Sequence, residues 1–111
     1  MVVDVNIVTR KHLSDAARSC KDAANELKSW IAIVEAARWR NFLEVQSVFT
    51  DADSVDGYVV FNVRRNRYRL ITVIHYAKDQ PRETNGHIYI RSFLRHSEYD
   101  DRKKWDPFAG E

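Results

Sequence analysis

The first nine residues are β-branched and partly alternating, with Val3, Val5 and Ile7 set against Val2, Asp4 and Asn6, and this predicts a strand over residues 1–9. From Lys11 the period changes. Leu13, Ala16, Ala17, Cys20, Ala24, Leu27, Trp30, Ile31 and Val34 recur every three or four residues, the spacing of an apolar stripe on a helix with Lys and Glu on its other side. Residues 10–38 contain neither Pro nor Gly. One long helix fits them, and so do two helices broken at Cys20-Lys21, the second capped by Asp22. Asn41-x-x-Glu44 has the form of a capping box and opens a short helix through Val48, with Phe42, Val45 and either Val48 or Phe49 turned inward. Residues 51–57 are turn chemistry and close the helical half.

The second half has period two. Residues 58–63 form an apolar run broken by Asn62, and residues 67–77 alternate Tyr68, Leu70, Thr72, Ile74 and Tyr76 with Arg67, Arg69, Ile71, Val73 and His75. The short gap at Arg65-Asn66 predicts a hairpin between the two. Residues 78–86 form a polar loop with Pro81 and an Asn85-Gly86 turn. A strand follows over residues 87–94, then a short helix over 98–104 capped by Ser97, then a tail from Trp105. The expected fold is α+β: an N-terminal strand, two or three helices packed on a mostly antiparallel sheet, a C-terminal β-meander and a short terminal helix. Residues 1–100 are expected to form the domain and 101–111 its helix end and tail.

Composition limits the function classes. At 111 residues the chain holds about one domain, with no room for separate cofactor and substrate domains. A single Cys excludes an intrachain disulfide framework, and no paired Cys/His spacing suggests a metal site. There is no glycine-rich phosphate loop, so no cofactor is expected. No membrane-length apolar run and no secretory signal are visible, and the expected compartment is cytoplasmic. Trp30 and Trp39 read as core, and Cys20 as a small core residue.

Net charge is +2, but it is unevenly placed. Residues 57–95 carry 8 basic and 2 acidic side chains, a net +6, whereas residues 1–56 and 96–111 each come to −2. Arg64, Arg65, Arg67 and Arg69 fall within six residues, with no acid between Gly57 and Lys78. Strand alternation puts Arg67 and Arg69 on one face, Arg64 or Arg65 can reach it from the turn, and Arg91 and Arg95 join them if the next strand pairs alongside. Forked guanidinium donors fit phosphate oxygens. The same residues also suit a solvated sheet face. His96, Tyr99 and Asp100 follow at helical spacing. They offer a proton-transferring imidazole, a phenol in reach and a carboxylate to orient the ring. They fit equally a histidine beside a helix N-terminus with acids favouring its dipole.

Taken together, Trp39-Arg40-Asn41-Phe42, Val59-Val60-Phe61-Asn62-Val63, Asn66-Arg67-Tyr68-Arg69-Leu70-Ile71 and Tyr89-Ile90-Arg91-x-x-x-Arg95-His96-Ser97-Glu98-Tyr99-Asp100 resemble the HigB family of type II toxins, in the RelE-like superfamily. The resemblance runs from about Ile7 to Asp100. It implies a small basic endoribonuclease, without a metal, that cuts mRNA on the ribosome and is neutralised by a helix-turn-helix antitoxin. Carried over by position, it implies that Arg69, Arg91 and Arg64 clamp the phosphate and transition state. It assigns His96 as general base or acid with Tyr99 as its partner and Asp100 in support, and it matches Asn62 to a polar position that would face RNA; the arginine cluster itself adds Arg65, Arg67 and Arg95 as candidate RNA contacts. The chain departs from the family pattern in three places. Arg65-Asn66 stands where Gly-Asn is usual at the hairpin, loop 78–86 is longer, and Arg95 replaces the Thr that commonly precedes the histidine. The alternative function is a non-catalytic RNA-binding or operon-regulating module on the same fold.

Overall fold

The computed structural model describes residues 6–8 and 10–106; residues 1–5 and 9, over which the N-terminal strand is also expected, and residues 107–111 lie outside the described residues. In chain order the elements are β1 (Asn6–Val8), α1 (Arg10–Ser19), a 3-10 turn (Lys21–Ala23), α2 (Ala24–Glu35), α3 (Phe42–Val48), β2 (Asp53–Val55), β3 (Tyr58–Val63), β4 (Tyr68–His75), β5 (His87–Arg95), α4 (His96–Tyr99) and a second 3-10 turn (Arg102–Lys104). The sheet order is β1-β5-β4-β3-β2. β1 runs parallel to β5 and every other pair is antiparallel, so the expected α+β architecture stands. No helix among the described residues is long and apolar enough to cross a membrane.

The helical stripe is broken at Cys20, without Pro or Gly. The break shifts the phase by one position, so Ala23, not Ala24, is fully buried, ahead of Leu27, Trp30 and Val34. Asp22 does not cap α2, whose N-cap is Ala23 with no side-chain bond. Its carboxylate is taken instead by the Tyr68 hydroxyl (2.8 Å) and the Arg67 guanidinium (2.6 Å), which pin the helical layer to the start of β4. At α3 Asn41 caps as expected, the Glu44 N–H donating to Asn41 Oδ1 at 3.0 Å, but the return bond of a capping box falls one residue early, Glu44 Oε1 accepting from the Arg40 N–H at 2.7 Å. Val45 is buried and Phe49 packs inward, leaving Val48 exposed.

Phe61 joins the layers. It meets Trp30 of α2 edge-on at 5.4 Å and Phe49 at 5.1 Å, and Trp39 meets Phe49 at 6.1 Å. Each such aromatic pair is worth about 1 kcal/mol beyond its area burial. Val59, Val63, Tyr68, Leu70, Ile88 and Ile90 complete this core beneath the helices.

Three elements differ from expectation. Residues 51–57 contain a strand, β2, joined to β3 through Asp56-Gly57, both at positive φ (49° and 87°), the two-residue hairpin turn in which Asp-Gly is favoured. The terminal helix starts at His96, lasts one turn and gives way to a separate 3-10 turn, whose Lys103 N–H is capped by Asp101. Trp105, read as the start of a tail, is 3% exposed. It joins Val60, Ile71 and Leu94 in a second core on the face of the sheet away from the helices.

β5 reaches both cores through a bulge. Ile71 pairs with Ser92 but Thr72 pairs with Ile90, which leaves Arg91 as the extra residue. Ile88 and Ile90 before the bulge, and Phe93 after it, pack against the helical core, while Leu94 packs outward. A one-residue insertion reverses which face each later side chain takes.

The Asp22–Tyr68–Arg67 group makes a pH prediction. The bonds from Tyr68 and Arg67 hold the Asp22 carboxyl below its ordinary range, and the neighbouring Asp22 pushes the Tyr68 phenol up to about 12. Asp22 therefore contributes stability above the ordinary carboxylate pKa and loses it as pH falls through its lowered value. Tyr68 contributes below pH 10 and loses its share as pH rises through about 12. Asp22→Asn should bring Tyr68 ionisation back toward 10 in an absorbance titration and flatten both limbs of the stability–pH curve. An unmoved phenolate transition would refute the coupling.

Candidate active site

The antiparallel register sets Asn62 opposite Arg69 on β3–β4, and Tyr68 and Arg69 opposite Arg95 and Leu94 on β4–β5. The ladder continues one residue past β5, since the His96 N–H donates to Arg67 O at 2.9 Å. Because the bulge has reversed the alternation, His96 emerges on the outer face, where Arg69 also points.

Arg69 is 8% exposed. It donates to Tyr68 O at 3.2 Å and to Asn66 Oδ1 at 3.4 Å, and its guanidinium lies 5.2 Å from the centre of the Tyr99 ring. It also sits 3.2 Å from His96 Nδ1. A guanidinium has no lone pair to offer, so Nδ1 accepts, and the neutral ring carries its proton on Nε2. Among the described residues no carboxylate lies within ion-pairing distance of Arg69. This cation is buried with only neutral partners, an arrangement that favours binding an anion. The Tyr99 phenol is raised above its ordinary value, first by burial and then by the charge of Asp53, with Arg69 opposing. A depression of about 430 Å³ beside Arg69 and Tyr99 is walled by Asp51, Asp53 and Asn62.

A second, open groove of about 820 Å³ runs from the hairpin tip, residues 64–67, to Arg95, His96 and Ser97. The hairpin loop has four residues, closed by the Arg67 N–H donating to Arg64 O at 3.1 Å. Arg64 and Arg65 both sit at positive φ (52° and 59°), a region that costs a residue with a Cβ about 1 kcal/mol. The Arg64 N–H is held by Glu26 Oε2 at 2.9 Å. Among the described residues the side chains of Arg64, Arg65 and Arg95 have no carboxylate partner, so three uncompensated guanidinium groups border one groove.

The other sequence candidates fall elsewhere. Arg67 and Arg69 do not share a face: Arg67 precedes β4 and turns back to Asp22 in the helical layer. Arg91, the bulge residue, pairs with Asp106 at 3.4 Å and lies 5.9 Å from the Tyr89 ring, outside the Arg69–His96–Tyr99 group. Asn62 donates to Asp51 Oδ2 at 3.2 Å. Asp100 makes no hydrogen bond to His96 among the described residues; the ring is oriented by Arg69, because α4 ends after one turn. Sequence reasoning missed Asn66, Asp53 and Trp105. The last carries no local signal, being one apolar residue in the otherwise charged run of residues 100–106. No group of three or more His, Cys, Asp or Glu side chains among the described residues is disposed to hold a metal ion.

No curated protein matches the chain. A family model, HigB toxin, described as the RelE-like toxic component of a toxin-antitoxin system, matches residues 23–102. The matched stretch runs from the end of the first 3-10 turn into the second and includes Arg69, His96 and Tyr99. With that match over most of its length and a fold of the expected α+β kind, the chain belongs to the HigB toxin family, the RelE-like toxic components of toxin-antitoxin systems.

Proposed function

We propose that this toxin is an endoribonuclease that cleaves mRNA by attack of a ribose 2′-hydroxyl on the adjacent phosphate. The observation that carries the reading is Arg69, buried without a carboxylate partner among the described residues, with His96 at 3.2 Å and the Tyr99 ring at 5.2 Å. A scissile phosphate paired with Arg69 has both groups in reach. Binding draws the guanidinium off Nδ1, whose freed lone pair takes the 2′-hydroxyl proton while Nε2 keeps its own. Tyr99, whose raised pKa keeps its proton in place near neutral pH, supplies a proton to the departing 5′-oxygen. Arg69 balances the charge that builds on the phosphorane. The products are a 2′,3′-cyclic phosphate, or the 3′-phosphate from its hydrolysis, and a 5′-hydroxyl. All the groups used belong to the protein.

Arg64, Arg65 and Arg95 draw the RNA strand along the groove. Arg67 and Arg91 serve structure in this reading, since Asp22 and Asp106 already occupy them. The family likeness supports action in the cytoplasm on ribosome-bound mRNA and a helix-turn-helix, HigA-like antitoxin.

His96→Ala should lower single-turnover RNA cleavage at least about 100-fold, with little change in thermal stability because the side chain is exposed. Arg69→Gln should match that loss and relieve growth arrest. A translating extract in which both variants still cut mRNA normally would refute the assignment. Binding of uncleaved RNA without 2′,3′-cyclic or 3′-phosphate ends would instead identify a non-catalytic RNA-binding module.

Salt dependence separates the arginines. Arg65→Gly, which suits the positive φ, and Arg95→Ala should each reduce the slope of log affinity for single-stranded RNA against log salt by about 0.7. Arg67→Gln and Arg91→Gln should leave the slope unchanged and lower thermal stability. Equal slopes for all four variants would dissolve the distinction.

A further inference from the structure

α4 is a single turn, too short to hold itself, since helices below about 12 residues are marginal in water even with good sequences. Something else must fix Tyr99. Its ring stacks on Trp105 with centroids 4.8 Å apart and planes at 21°, and its carbonyl accepts the Trp105 indole N–H at 2.7 Å. The same ring carries the Arg69 guanidinium at 5.2 Å. Arg102 in turn lies 4.2 Å from the indole centre and is tied to Asp56 at 3.1 Å. Arg69, Tyr99, Trp105 and Arg102 thus form one connected series of cation–ring and ring–ring contacts.

The indole is itself anchored from behind. The Ser92 hydroxyl donates to Trp105 O at 2.7 Å. The next residue, Asp106, accepts from the Tyr58 hydroxyl at 3.2 Å and faces Arg91 Nε at 3.4 Å. Ser92 and Arg91 belong to the bulged part of β5, and Tyr58 opens β3. The segment after Asp100 is therefore a strap laid across the outer face and fastened to two strands. Trp105 and Asp106 lie beyond the stretch that the family model matches.

We infer that Trp105, held by Asp106 and Ser92, is a positioning residue for RNA cleavage: it sets the Tyr99 ring against Arg69 so that the phenol and the guanidinium address the same phosphate. This rests on the proposed role of Tyr99. Trp105 touches no reacting atom; it acts through Tyr99. The side chain also fills the outer core, so a loss of activity on its removal does not by itself distinguish positioning from folding. The coupling to Tyr99 does.

The experiment is a double-mutant cycle in single-turnover RNA cleavage, with Trp105→Phe and Tyr99→Phe. Trp105→Phe retains an aromatic ring but loses the bond to Tyr99 O. It should lower the rate at saturating RNA about 10-fold while KM changes less than twofold, and it should cost less than a further twofold in the Tyr99→Phe background. Asp106→Asn, which loosens the anchor without opening the core, should give the same pattern and serves if Trp105→Phe does not fold. Equal losses in both backgrounds, or a change in KM alone, overturn the inference and leave the ribonuclease reading intact. If the wild type cuts no RNA, that reading fails first, and the placement is still decided by NMR of the folded chain. The Arg69–Tyr99 cross-relaxation should weaken in both variants, and its persistence at wild-type strength overturns the inference.

Discussion

The antiparallel pairing of β4 with β5, with one extra residue at Arg91, is the constraint on which the rest of the molecule depends. Before the bulge Ile88 and Ile90 face the helices; after it Phe93 does, and Leu94 faces away. Without the insertion the later half of β5 would present the opposite faces, and His96 would emerge beneath the helices, away from Arg69. The insertion brings His96 to the face of Arg69, sends Arg95 toward the hairpin groove and turns Leu94 into the outer core. A single backbone irregularity, not a run of catalytic residues in sequence, assembles the site.

The charges are sorted by the same topology. Of the arginines in the basic middle of the chain, the fold neutralises Arg67 with Asp22 and Arg91 with Asp106. It buries Arg69 among neutral partners and, among the described residues, leaves Arg64, Arg65 and Arg95 without carboxylates. Ion pairing removes a guanidinium from competition for phosphate, and burial without an anion raises its demand for one. Side chains of one residue type, close in the sequence, thus take three different electrostatic roles. The left-handed backbone at Arg64 and Arg65 points the same way. Strain of that kind persists where surrounding bonds fix it, here Glu26 on the Arg64 N–H, and it keeps two arginines at the tip where glycine would sit more easily.

The outer face also explains why residues 101–106 fold back onto the sheet. A sheet with apolar side chains on both faces needs cover on both. The helices cover one; Trp105, reached through a one-turn helix and a 3-10 turn, covers the other. Tyr99 lies within that cover and not on an independent helix, so the packing of the strap and the geometry of the site are one matter.

Local physics made part of this legible in the sequence. Periodicity and turn residues gave the order of helices and strands apart from β2, the span of β3 and the cap at Asn41, and counting charges gave the basic block. The motif around Arg69, His96 and Tyr99 was enough to suggest the family that residues 23–102 match. All of these rest on neighbours within a few positions. Tertiary structure alone decided the break at Cys20, the bulge at Arg91, the capture of Arg67 by Asp22, the Arg69–His96 contact and the burial of Trp105. The partners in those contacts lie far apart along the chain, 45 residues in the case of Arg67 and Asp22. Strand alternation fixes which side a residue can face; only pairing with a distant strand fixes which residue it meets there.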